Sequence, residues 1–272
     1  MKAILSGMRV VEASAFVAAP LGGMTLAQLG ADVIRIDAIG GGLDYRRWPV
    51  TKDNASLFWA GLNKSKRSVA INFRSPEGSE LAKQIITAPG KEAGMLLTNF
   101  PPKGWLSYED LSAVRPDLIQ LTVQGDRHGG SAVDYTVNPS IGLPFLTGPA
   151  DSNTPANHVL PAWDLVTGQM AALGLLAAER HRTRTGEGQH AKIALADAAM
   201  AVMGHLGFIA EAELGEERER FGNYLYGAYG CDFVTLDNKR VMVIGLTKRQ
   251  WKSLCVATGT EQAMIDLAIK LG

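Results

Sequence analysis

The residue whose type and address best suit chemistry is Asp164. It lies in the run Pro161-Ala162-Trp163-Asp164-Leu165-Val166-Thr167-Gly168-Gln169-Met170, which leads through Ala171 to Ala178 into the basic tail Glu179-Arg180-His181-Arg182. One carboxylate thus stands at the mouth of a long apolar helix, where backbone N–H groups lack partners and the macrodipole is positive. An anion there is stabilised and held in a fixed direction. Two roles suit that setting, a helix cap, which spacing alone favours, and a nucleophile.

Other chemistries find little support. There is no GxxxxGK[ST] loop, the glycines at 40, 41 and 42 lack the GxGxxG spacing, and Gly186-Glu187-Gly188-Gln189 reads as a tight turn. No HExxH or paired CxxC supplies metal ligands, so no metal site is expected. No serine sits in a GxSxG elbow, and the five histidines (128, 158, 181, 190 and 205) are scattered.

The elements that must position Asp164 alternate between strand and helix. Met8 to Glu12 reads as a strand, Pro20 to Leu29 as a helix closed by Gly30, and Ala31 to Ile36 as a second strand, making a βαβ unit. After the glycine-rich loop come a strand from Ser68 to Ile71 and a helix announced by Ser75-Pro76-Glu77. Met95 to Thr98 and Leu118 to Val123 read as strands around a short helix from Tyr108 to Val114. Beyond the long helix, Gln189 to Leu195 reads as a strand and Asp197 to Leu214 as a helix. Such alternation predicts an α/β fold with a mostly parallel, Rossmann-like sheet flanked by helices. The charged run 216–220 reads as solvated surface, and Asp232 to Ile244 as a β-hairpin turning at Leu236-Asp237-Asn238-Lys239. That change of rhythm predicts a larger domain over 1–220 and the start of a smaller α+β domain over 221–272.

Composition narrows the partners. A chain of 272 residues that is 46% hydrophobic can bury a substantial core. With 27 basic and 27 acidic side chains it has no overall field to draw nucleic acid or an anionic membrane. Only Cys231 and Cys255 are present, which argues for free thiols in a reducing compartment, by default the cytoplasm. No apolar segment is long enough to span a bilayer, and Arg9 and Glu12 interrupt the N-terminal run before it could serve as an export signal.

Several segments together resemble a known family. Leu5-Ser6-Gly7-Met8-Arg9-Val10-Val11-Glu12, Ala18-Ala19-Pro20, and Leu26 through Arg35 are similar to the opening of the class III CoA-transferases, the CaiB/BaiF family. Asn63-Lys64-Ser65-Lys66-Arg67-Ser68, Ser75-Pro76-Glu77-Gly78, Thr98-Asn99-Phe100 and Arg115-Pro116-Asp117-Leu118 resemble its later blocks. The stretch from Asp164 to Gln189 resembles its most characteristic one. Each block is weak alone; their order and spacing over nearly the whole chain are specific.

The resemblance implies a reaction. An aspartate at the position of Asp164 attacks an acyl-CoA thioester, giving an aspartyl mixed anhydride and CoA thiolate, which returns through an aspartyl-CoA thioester. It also implies an interlaced homodimer, an acyl-CoA substrate and no permanently bound cofactor, CoA entering as part of the substrate. By the same resemblance Phe16, Val17, Ala18, Asn99 and Phe100 lie against CoA, and Arg46, Arg47 and Lys103 are the cations available to its phosphates. For the two arginines, as for Lys64, Lys66 and Arg67, a solvated basic surface is an equal reading. The segments 14–25, 41–50 and 157–164 resemble a branch that moves CoA between two carboxyls of one C5 dicarboxylate.

The chain also departs from the family pattern. Val17 and Ala19 make the pocket more apolar, and Pro101 to Trp105 shortens a linker. No histidine occurs in Ala132-Val133-Asp134-Tyr135-Thr136, which removes the second base that racemisation needs. Family members run about half as long again, so the resemblance implies a C-terminally truncated chain with exposed apolar surface. Two other functions therefore stand beside the intramolecular one, transfer to a separate carboxylic acid and an inactive CoA-binding or assembly subunit. A plain NAD-binding Rossmann protein ranks last, for want of the glycine fingerprint.

Overall fold

The computed structural model describes residues 3–271. Its chain order is β1 (Arg9–Ala13), α1 (Ala18–Gln28), β2 (Asp32–Asp37), α2 (Leu57–Leu62), β3 (Arg67–Ala70), α3 (Pro76–Thr87), β4 (Met95–Thr98), a 3-10 turn (Gly104–Leu106), α4 (Tyr108–Val114) and β5 (Ile119–Gln124). There follow α5 (Asp134–Ser140), α6 (Leu143–Leu146), α7 (Ala162–Thr185), β6 (Gln189–Ala194), α8 (Leu195–His205), α9 (Phe208–Glu213), β7 (Tyr229–Val234), β8 (Arg240–Gly245), α10 (Lys248–Thr258) and α11 (Glu261–Leu271).

The chain divides into two compact units. One runs to Ile141 and resumes over Val159–Ile209; the other comprises Gly142–His158 and the chain from Ala210 onward.

The first unit holds a six-stranded sheet in the order β3-β2-β1-β4-β5-β6, every pair parallel. This is the Rossmann-like sheet that the alternation predicts. A parallel sheet is covered on both faces, so its central strands read as continuous apolar runs. Met95, Leu96 and Leu97 of β4 are accordingly sealed from solvent. On one face Ala82 and Ile86 of α3 and Leu111 of α4 pack against Val11, Ile36 and Leu96. The order reverses between β1 and β4. At such a switch point the connections leave in opposite directions and open a crevice beyond the carboxyl ends of the strands.

The second unit contains the antiparallel hairpin β7–β8, turning through Leu236 to Lys239 as the sequence predicts, with α10 and α11. One sequence expectation is corrected. Asp197 to Leu214 is not one helix, because Gly207 adopts φ +83° and separates α8 from α9.

Candidate active site

Asp164 is not the cap of its helix. It lies in the first turn of α7, and the residue flanking the helix, Pro161, has no capping side chain. The cap comes from another helix. Oδ2 of Asp134 on α5 accepts from the backbone N–H of Trp163 at 2.7 Å and of Asp164 at 3.3 Å. The indole Nε1–H of Trp163 donates to Oδ1 of Asn138 at 3.1 Å. Asp134 and Asn138 are buried, so α5 fixes where α7 begins. The Asp164 carboxyl, relieved of capping, accepts instead from the backbone N–H of Ala18.

Its surroundings favour a reactive carboxylate. Burial, and then the charge of Asp134, push the Asp164 carboxyl up from 3.8 to about 6, while the Arg47 charge and the backbone N–H of Ala18 work against that rise. Near neutral pH the group is mainly ionised, yet poorly hydrated.

Close helix packing brings Ala18 to it. A Cβ on Gly168 of α7 would lie 2.7 Å from the carbonyl oxygen of Ala18, and one on Gly22 of α1 would lie 3.0 Å from the carbonyl oxygen of Gly168. Only glycines allow backbones to approach so closely, and they seat the start of α1 against the first turns of α7.

The link from β1 to α1 is held from several sides. Asn99, just past β4, clamps Ala15 twice: its Oδ1 accepts from Ala15 N at 2.9 Å and its Nδ2 donates to Ala15 O at 2.8 Å. Oδ2 of Asp44 accepts from Phe16 N at 3.0 Å, and Nη2 of Arg35 donates to Ser14 O at 2.8 Å. Between these anchors Phe16 is held at φ +68°, a strained value for a residue with a bulky side chain.

Arg35 is itself the hub of a buried charge network. It donates to Glu12 at 2.9 Å, to Asn63 at 3.1 Å and to both oxygens of Asp37 at 3.0 Å. Burial pulls its pKa down, and Glu12, Asp37 and Asp44 outweigh that and keep it charged. Lys66 completes the set with bonds to Glu12 at 2.9 Å, Asn63 at 2.7 Å and Pro20 O at 2.8 Å, and burial pushes its ammonium below the usual range. With Arg35, Glu12 and Lys66 all shut off from water, the network ties the ends of β1 and β2 and the start of α1 into one rigid block.

A cavity of about 660 Å³ opens beyond the carboxyl ends of β2, β3 and β4. Ile36, Phe73, Phe100 and Trp105 give it apolar walls, and Arg74 and Lys103 contribute cations. The Phe73 and Trp105 rings stack with centroids 5.3 Å apart.

The residues singled out in the sequence therefore fall into groups. Ala18 meets the Asp164 carboxyl through its N–H, Val17 is buried just before it, and Arg47, whose charge is felt at Asp164, lies over the Phe16 ring. Phe100 and Lys103 line the cavity. Asn99 spends its amide on Ala15, and Arg46, exposed as Arg47 also is, does not line the cavity. Asp134, Arg74 and Trp105 were not singled out. Among the described residues no group of three His, Cys, Asp or Glu side chains could hold a metal ion, and no helix is long and apolar enough to cross a membrane.

Comparison with known proteins gives consistent likenesses. A model of CoA-transferase family III matches residues 5–270. The chain is 66% identical to 2-methylfumaryl-CoA isomerase of Chloroflexus aurantiacus, over 100% of this chain and 67% of that protein. It is 32% identical to the succinyl-CoA–L-malate CoA-transferase beta subunit of the same organism, over 94% of this chain and 65% of that subunit. A CAIB/BAIF family protein from Brucella suis superposes with a TM-score of 0.80 at 27% identity, covering 96% of this chain and 71% of that one.

Proposed function

Because the chain belongs to CoA-transferase family III, we propose that Asp164 is a carboxylate nucleophile that takes an acyl group from CoA, and that the reaction is the conversion of 2-methylfumaryl-CoA to 3-methylfumaryl-CoA. The observation that carries this reading is the setting of Asp164. It is a half-buried carboxylate at a helix start, released from capping by Asp134, faced by the Ala18 N–H and poorly hydrated. The choice of substrate rests on the 66% identity to the isomerase.

The steps balance without any other reactant. A carboxylate oxygen of Asp164 attacks the thioester carbonyl of the bound acyl-CoA; the C–S bond breaks, leaving a mixed anhydride and CoA thiolate. The thiolate attacks the Asp164 carbonyl of the anhydride, giving an aspartyl-CoA thioester and the free dicarboxylate. The other carboxylate of that diacid attacks the aspartyl thioester and expels the thiolate again. The thiolate then attacks the acyl carbon of the new anhydride, forming the second CoA ester and freeing Asp164. Fixing a weak nucleophile beside the carbonyl in a site with little water is what makes such steps accessible. The Ala18 N–H and the start of α7 are donors suited to the developing negative charge.

CoA itself fits the crevice at the switch point. The apolar walls of the cavity suit an adenine, and Arg74 and Lys103 suit phosphate oxygens. Phe16 to Ala18 lie between that end and Asp164, where the pantetheine arm would run. The family resemblance extends the reading to an interlaced homodimer with no permanently bound cofactor, working in the cytoplasm.

The test is direct. Incubated with 2-methylfumaryl-CoA, the chain is expected to give the regioisomer by chromatography, and hydride trapping or intact mass to reveal an enzyme–CoA thioester that Asp164→Asn cannot form. CoA transfer only to an added acid such as succinate would replace the intramolecular reading by the intermolecular one. CoA binding with no turnover would favour an inactive subunit.

A further inference from the structure

The transfer scheme leaves one charge without a partner. After the aspartyl-CoA thioester forms, the site holds a free dicarboxylate dianion that must stay bound while it turns end for end. A carboxylate held in a half-buried, apolar setting is costly unless a cation or several donors meet it. Resting on the function proposed above, we propose that Arg47 binds the carboxylate that is not reacting, in both orientations of the diacid, and so selects dicarboxylyl-CoA substrates.

The geometry favours this residue over the other cations. The Arg47 guanidinium lies 4.4 Å from the centroid of the Phe58 ring and 5.8 Å from that of Phe16. Two aromatic faces thus flank a planar cation that is otherwise exposed, its N–H donors open to a ligand. No side-chain hydrogen bond of Arg47 occurs among the described residues, whereas Arg35, Arg115 and Arg182 are each engaged by carboxylates or carbonyls. Its backbone is pinned independently, the carbonyl accepting from Ser56 Oγ at 2.6 Å and the N–H donating to Asp44 O at 3.0 Å. The loop is therefore placed whatever the side chain does.

Its position along the substrate also decides the matter. Arg47 is close enough to Asp164 for its charge to be felt there, and it does not line the cavity that holds Arg74 and Lys103. A bound CoA ester has its thioester carbon at Asp164 and its phosphates at the far end of a long pantetheine arm. A cation that flanks Phe16, two residues before the Ala18 N–H that meets Asp164, and whose charge is felt at that carboxyl, serves the acyl end rather than the phosphates. Within 2-methylfumaryl the free carboxylate is separated from the thioester carbonyl only by the carbon–carbon double bond, so one guanidinium can serve it from either end. Its planar fork offers two parallel N–H bonds to a carboxylate.

The experiment compares two CoA esters that differ at that carboxylate alone. 2-Methylfumaryl-CoA carries it; tiglyl-CoA has a methyl in its place. The rate of enzyme–CoA thioester formation is measured by rapid quench and intact mass for wild type, Arg47→Lys and Arg47→Gln, with circular dichroism melts to confirm folding. Arg47→Gln is expected to slow adduct formation from 2-methylfumaryl-CoA about 10- to 100-fold, the range of a charge-assisted hydrogen bond. Measured at pH 8, where Asp164 is ionised even without the Arg47 charge, tiglyl-CoA should be slowed by no more than about twofold, the scale of an exposed charge, with Arg47→Lys between. In Arg47→Gln, labelled 2-methylfumarate supplied in solution should enter the product, because the bound diacid now escapes. Equal losses for both esters would overturn the assignment and make Arg47 a CoA contact or a positioning residue for Asp164. Wild type that forms no adduct from either ester would overturn the transfer reading itself, and the role of Arg47 with it.

Discussion

Replacing Asp164 by asparagine should stabilise the protein while ending its chemistry. The folded carboxyl titrates at about 6 against 3.8 in the unfolded chain, so the folded state binds the proton more tightly. Between those two values a rise in pH therefore favours unfolding. The full penalty is about 3 kcal/mol, reached above neutrality, and about 1 kcal/mol of it is already present at pH 4.5. Asparagine has the same shape, still offers an acceptor to the Ala18 N–H and carries none of this penalty. Asp164→Asn is accordingly expected to be more stable than wild type by about 3 kcal/mol at pH 8, a gap that narrows by about 2 kcal/mol at pH 4.5. For a folding unit of this size the gain at pH 8 corresponds to about 5–10 °C in Tm. Urea titrations at both pH values, followed by circular dichroism and tryptophan fluorescence, measure it. A gap of equal size at pH 4.5 and 8, or an Asp164→Asn protein less stable than wild type at pH 8, would refute the claim that the site holds this carboxylate at a cost in stability. A gain in stability on losing a reactive group is the usual sign of a site built for function.

Two further substitutions test how the site is held. Gly168→Ala places a methyl 2.7 Å from the Ala18 carbonyl oxygen and must push α1 from α7; a loss of about 1–3 kcal/mol in stability is expected, with adduct formation slowed more than the affinity for free CoA, measured by calorimetry, is weakened, since the cavity lies elsewhere. Asp134→Asn keeps an acceptor for the N–H groups of Trp163 and Asp164 but removes the charge that helps raise the Asp164 pKa; the acid limb of kcat/KM should move to lower pH, and a limb that stays or moves up would show that Asp134 does not set it.

The sheet was legible because its signal is local. Met95-Leu96-Leu97-Thr98 has the unbroken apolar run of a strand buried on both faces, and Ser75-Pro76-Glu77 announces α3 at the residue that caps it. The hairpin was legible from its turn, where Asn238 takes the left-handed conformation that asparagine tolerates. Gly207 was misread inside a helical pattern, since glycine breaks a helix only where the chain turns away, and tertiary structure decides that. Asp164 was found for its place at a helix start and for the blocks around it, yet the cap expectation attached to the wrong aspartate. A cap is read from the residue flanking the helix in sequence. Here the acceptor arrives through space from Asp134, thirty residues earlier in the chain.

The residues missed have a common cause. Glu12, Arg35 and Lys66 sit among strand and loop residues, where charge ordinarily means exposure. Only the folded chain reveals that they meet at one point, sealed from water, and that the point anchors Ser14, Phe16 through Asp44, and Pro20. That also explains why the basic residues at 46, 47, 64, 66 and 67 could not be sorted by composition. Lys66 is committed to buried carboxylate and Arg67 to a surface pair with Asp32, whereas Arg47 is flanked by two aromatic rings and makes its charge felt at Asp164. Basic side chains that composition cannot separate thus divide according to whether the fold has already supplied each cation with an anion. On the proposed function, an arginine that the fold leaves open, within electrostatic reach of a poorly hydrated aspartate, takes its counter-charge from the substrate.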